Sequence, residues 1–135
     1  MIKNILTICV AVLLQLAITS PAMAAPDSNE LSAIVGMTTA LDQKYPSGSI
    51  TTGETADAAL KEATAAQQRL QSWYEQADKT CHTKFFVNDC LDDTKQQRRQ
   101  YIVVLQRISL EAKALQRKLH IEQLDKELLE KQAKP

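Results

Sequence analysis

Two cysteines, Cys81 and Cys90, enclose eight residues in the stretch Cys81-His82-Thr83-Lys84-Phe85-Phe86-Val87-Asn88-Asp89-Cys90. Thiols so spaced offer a structural disulfide, a redox couple or part of a metal site. A redox pair is more typically Cys-x-x-Cys beside a strand, with one sulfur tuned by a helix N-terminus. No strand pattern accompanies this pair. A zinc site needs three or four converging ligands. His82 and Asp89 lie beside the thiols, but oxidation removes both thiolates, and His120 stands 30 residues beyond Cys90 along helical sequence. The pair therefore reads as a staple, and closing a loop of this size stabilises a chain by about 2–3 kcal/mol. The sequence shows no Ser-His-Asp set, paired-carboxylate cleft or Gly-rich phosphate loop. No catalytic residue, cofactor ligand or metal ligand is assigned, and the chain is expected not to be an enzyme.

A staple needs an oxidising compartment, and the first residues supply a route to one. Lys3 precedes the apolar run Ile5 to Ile18, and Ala22-Met23-Ala24 forms an A-x-A cleavage site. This is the layout of a secretory signal peptide, residues 1–24. The apolar run is shorter than the roughly 20 residues that span a bilayer. Cys9 sits inside it without small neighbours and makes a poor lipoprotein cysteine. Cleavage before Ala25 leaves 111 of the 135 residues and only Cys81 and Cys90 as cysteines. A periplasmic location is expected.

Loss of Lys3 leaves 15 basic against 16 acidic residues. That balance, with export, argues against a nucleic-acid protein. The mature chain is rich in Ala, Leu, Gln, Glu and Lys, the strong helix formers, and has few aromatic anchors. An extended all-α shape fits that composition better than a compact globule.

Residues 25–53 form an N-terminal segment. Leu31, Ile34, Val35, Thr38 and Leu41 follow helical spacing and predict a short amphipathic helix over 30–44, with Asn29 or Ser28 as cap. Tyr45 to Gly53, with Pro46, Gly48 and Gly53, is a breaker-rich linker. Residues 54–135 then carry two long helical patterns separated by the cysteine stretch. In the first, Ala56, Leu60, Ala63, Gln67, Leu70, Tyr74, Ala77 and Cys81 repeat at alternating spacings of four and three, a heptad seam. Gln67 is its one polar position; it either fixes register or, as is commoner, reaches solvent at the seam's edge. The second helix is expected from Asn88 or Asp89 onward, and no Pro or Gly interrupts it for some 40 residues, roughly 60 Å.

The second helix carries two apolar stripes. Tyr101, Leu105, Ile108, Ala112, Leu115 and Leu119 make one. Val103, Leu110, Ala114, Ile121, Leu124 and Leu128 make the other, on nearly the opposite face. A helix wetted on one side would show only one stripe. The first long helix covers one of them. For the other, the 31–41 helix, a second copy of the chain or a different partner remains. Counting back from the cysteines sets Glu54 level with about residue 117, so the second helix overhangs. The linker is expected to deliver the 31–41 helix to that overhang, out of reach of Val103 and Leu110.

Phe85, Phe86 and Val87 form an apolar plug at the hinge, expected to pack over the disulfide and against Trp73 or Tyr74. The alternative is an exposed tip that touches a client protein or a membrane. Lys95, Arg98, Arg99, Arg107, Lys113, Arg117 and Lys118 make the middle of the second helix basic. They spread over several faces and read as a solvated surface, with lipid headgroups a weaker alternative.

The hinge resembles a group of uncharacterised exported proteins of Gram-negative proteobacteria. The shared pattern is a Cys, then Lys-Phe, then Val-Asn-Asp-Cys-Leu, leading into a long Arg-, Leu- and Glu-rich helix. Here Cys81, Lys84-Phe85 and Val87-Asn88-Asp89-Cys90-Leu91 carry it, followed by Arg98-Arg99 and Leu105 to Leu110. The likeness spans about Tyr74 to Lys118. It implies export and the staple and brings no activity.

The expected fold is all-α: an antiparallel, coiled-coil-like helical hairpin closed by Cys81–Cys90, with a short N-terminal helix near its open end. The expected role is a non-enzymatic one, through protein–protein contacts on Val103, Leu110, Ile121, Leu124 and Leu128. Self-association or another envelope protein would supply the partner. The second reading is lipid contact through Phe85, Phe86 and nearby basic residues.

Overall fold

A computed structural model describes residues 28–133. The signal segment 1–24, Cys9 and the polar start with Pro26 lie outside the described residues. Three helices follow in order: α1 (Ser28–Lys44), α2 (Gly53–Cys81) and α3 (Val87–Ala133). No strand occurs among the described residues. The chain is an all-α, disulfide-closed hairpin with a short N-terminal helix.

The hairpin is α2 against α3. Thr52 caps α2 in a capping box: its side chain accepts from the Thr55 N–H, and the Thr55 hydroxyl accepts from the Thr52 N–H. The opposite end stops at the Cys81–Cys90 disulfide, whose Cα atoms are 5.5 Å apart. α3 begins one residue before the earliest expected cap, so Asn88 and Asp89 lie in its first turn. Three contacts fix the antiparallel register. Asp57 accepts from Gln116, Gln67 donates to Ser109, and Gln71 accepts from Arg98.

The buried face of α2 is Ala56, Ala59, Ala63, Ala66, Leu70, Trp73, Ala77 and Cys81. It is rotated from the expected seam. Ala59, Ala66 and Trp73 are fully covered, whereas Leu60, Gln67 and Tyr74 are only half-buried. The rotation has a physical cause in α1, which packs beside α2 and α3 and turns a two-helix seam into a three-helix core. Small alanines let the helix axes approach. Leu70, Leu105, Ile108 and Ile34 are fully covered, each contributing about 1.5–3 kcal/mol through burial.

α1 does not go where the sequence placed it. The linker turns back, and α1 runs alongside the hinge-proximal half of the hairpin, antiparallel to α2. Glu30 near its start pairs with Arg69, Lys44 at its end pairs with Glu62, and Asp42 pairs with Arg107. The reason lies in the linker, which is anchored rather than loose. Tyr45 and Ile50 are buried in the core. Gly48 adopts φ 75°, a left-handed conformation suited to glycine. The Glu111 carboxylate accepts from the Gly48 N–H at 3.0 Å and from Ser47 at 3.2 Å.

Nothing described covers the end of α3. A Cβ added at Gly53 would lie 3.4 Å from Leu119 Cδ1, so the hairpin mouth sits at Leu119. From His120 to Ala133 every residue is exposed. At 47 residues α3 is about 70 Å long, and its last 14 residues project as a single helix.

Candidate interaction surface

Val103, Leu110, Ile121, Leu124 and Leu128 are all exposed on α3. Val103 and Leu110 keep 64% of their surface accessible, although they stand beside the tightest part of the core. Helical periodicity explains the contrast. Leu105, Ile108 and Ala112 take the face toward α2, and α1 takes the flank where Arg107 and Glu111 reach the linker. Val103 and Leu110 lie on the third side, and Ile121, Leu124 and Leu128 continue that line into the projecting segment. With Arg107, Ala114 and Arg117 they share one face at spacings of four and three.

The polar groups that the sequence assigned to solvent are used inside the bundle. Gln67 Nε2 donates to Ser109 Oγ at 3.0 Å, and Ser109 in turn donates to the Leu105 carbonyl. Gln67 therefore crosses the hairpin instead of reaching solvent. Arg98 donates to Gln71 Oε1 and lies 5.1 Å from the Tyr74 ring centroid. Arg107 donates to Asp42, to the Tyr45 carbonyl and to Glu111. These arginines are joints, not parts of a solvated surface. Their links to Gln71, Tyr45 and Asp42 were not legible from the sequence, because those partners lie 27 to 65 residues away.

Electrostatics follows from those joints. Burial opposes ionisation of Glu111, but the Gly48 N–H, Arg107 and Ser47 outweigh it and hold its carboxyl below the ordinary range. Arg69 does the same for Glu30 through its hydrogen bonds, and Glu62 raises the Lys44 ammonium. All three serve structure. The exposed pairs among them add little stability in water.

The hinge corrects a second expectation. Phe85 and Phe86 do not cover the disulfide: they are 92% and 69% exposed. Their rings pack edge to face on each other, with centroids 5.0 Å apart. Cys81 is buried near the Thr94 hydroxyl, while Cys90 is half-buried, and both cysteines line the cleft beneath the rings. The turn between the helices is five residues long, and both rings stand on it. An open cleft of about 590 Å³ lies beneath them, with Leu31, Trp73 and Ala77 in its wall and Lys84, Asp89 and Asp93 at its edge.

His82 lies 3.6 Å from Asp78 and its backbone N–H caps α2. Among the described residues no group of three or more His, Cys, Asp or Glu is placed to hold a metal. Among them, too, no helix is long and apolar enough to cross a membrane. No family model, curated protein or solved structure matches the chain.

Proposed function

We propose that the protein is a non-enzymatic, exported helical protein of the periplasm that acts through protein–protein contacts, as a scaffold, assembly factor or chaperone-like holder. Its working surface is the outer face of α3, from Val103 to Leu128. One observation carries the reading: five large aliphatic side chains on a single helix face stay exposed after all three helices have packed. An exposed aliphatic row of that kind, interrupted by Arg107 and Arg117, supports an interaction site in a folded protein. The disulfide fits an oxidising compartment, and the segment 1–24 supplies the export signal.

The test is to replace Val103 and Leu110 by Glu together. Both are exposed, so the variant should fold and keep its helicity. It should lose self-association or lose its partner in a pulldown. Unchanged association and an unchanged set of partners would remove this face from consideration.

A second reading has its own observation, the exposure of Phe85 and Phe86 at the tip. There the protein would touch lipid. The surrounding charge weakens it, since Asp89 and Asp93 face the cleft against the single cation Lys84 and would repel anionic headgroups. Flotation with anionic vesicles tests it directly, and a protein that stays at the bottom of the gradient excludes it.

A further inference from the structure

We infer that the cleft at the hinge end of the bundle docks a basic, hydrophobic segment of another polypeptide. An apolar side chain of that segment enters beneath Phe85 and Phe86, and a neighbouring lysine or arginine meets Asp89 and Asp93. The site does not depend on the outer face of α3.

The shape of the cleft comes from all three helices. α1 runs back to the hinge end and brings Leu31 to it, α2 brings Trp73 and Ala77, and α3 brings Asp89 and Asp93. Its volume of about 590 Å³ is that of a binding cleft. Small-molecule sites enclose most of their ligand, and this cleft is open. A peptide needs only to lower one or two side chains into such a cleft while its backbone stays outside.

The rim is apolar surface that the fold leaves unused. Phe85 and Phe86 stand exposed above the wall formed by Leu31, Trp73 and Ala77, and their rings contact each other. Aromatic side chains are enriched where proteins meet, because they offer a large contact area with little freedom to lose.

Charge selects the partner. Asp89 and Asp93 stand one helical turn apart on the same face of α3. Asp92 beside them is paired with Lys95 at 3.7 Å. Asp89 and Asp93 have no ion-pair partner among the described residues, and Lys84, the one cation in the cleft lining, pairs with neither. Like charges at this spacing repel each other. A cation placed between them relieves that repulsion and gains both attractions, whereas an acidic segment would add to it. The charge that turns anionic headgroups away from the tip therefore favours a basic partner.

Trp73 is the only tryptophan in the sequence, and from the cleft wall its fluorescence reports occupancy. The probes are three capped octapeptides: leucine alternating with lysine, leucine alternating with glutamate, and serine alternating with lysine. With the oxidised protein, residues 25–135, the leucine–lysine peptide should shift Trp73 emission saturably. Each of the other two should bind at least about tenfold more weakly. Asp89→Asn/Asp93→Asn should weaken the leucine–lysine peptide about fivefold and reduce its salt dependence. Phe85→Ser/Phe86→Ser should abolish the response. All four side chains are exposed, so these variants should fold, which circular dichroism checks. Val103→Ser/Leu110→Ser should leave the titration unchanged, and a loss there would move the peptide to the outer face of α3 and overturn the inference. Equal affinity for either control peptide, or an unchanged titration in Asp89→Asn/Asp93→Asn, would overturn it. So would the absence of a Trp73 response to every peptide. A response to phosphatidylcholine vesicles and to no peptide would assign the tip to a lipid surface instead.

Discussion

Leu119 Cδ1 sits 3.4 Å from the point where a Cβ would stand on Gly53, and this contact marks where the hairpin stops being a bundle. On one side of it α3 is packed by α1 and α2. On the other, residues 120–133 run on fully exposed among the described residues.

Ending the chain after His120 should therefore leave the folded core intact. In dilute solution the thermal midpoint should move by less than about 2 °C, because no core contact is lost. Circular dichroism melts of the two chains provide the comparison.

Reducing the Cys81–Cys90 bond, or replacing both cysteines by serine, should lower stability by about 2–3 kcal/mol without abolishing helicity. The core at Leu70, Leu105 and Ile108 lies away from the hinge and remains packed. Urea titrations with and without reductant provide the comparison.

Gln67 and Ser109 join α2 to α3 in a half-buried setting. Gln67→Ala and Ser109→Ala should each cost about 1 kcal/mol. The double variant should cost less than the two singles added together, since both remove the same bond. Additive losses in a double-mutant cycle would show that the two side chains act independently.

Glu111 ties α3 to the linker through Gly48 and Ser47. Its folded pKa lies below the ordinary 4.5, so its contribution is fully present above that value. It fades as pH falls through the folded pKa. Stability should decline below about pH 4.5, and Glu111→Gln should flatten part of that decline while lowering stability at neutral pH. Chemical denaturation midpoints across the acid range provide the readout. Glu30, held low by Arg69, adds to the same trend and is separated by Glu30→Gln.

The sequence by itself determined the local terms. Helical spacing in 31–41, 56–81 and 101–128 gave three helices, because apolar periodicity and helix propensity act within a few residues. Pro46, Gly48 and Gly53 placed the linker. The pairing of Cys81 with Cys90 followed from two thiols flanking a reversal. The overhang followed from counting residues on each arm. The presence of two stripes on α3 was equally plain, with Val103 and Leu110 on the outer one.

Tertiary structure decided the rest. Where α1 lies depends on Tyr45 and Ile50 entering the core and on Glu111 gripping Gly48, contacts spanning some 60 residues. Its position rotated the buried face of α2 from Leu60 and Tyr74 toward Ala59 and Trp73, a shift that one helix's periodicity does not contain. Arg98 and Arg107 became joints only because Gln71 and Asp42 come within reach. Phe85 and Phe86 stand exposed at the tip and pack on each other, where composition alone favours burying two adjacent phenylalanines.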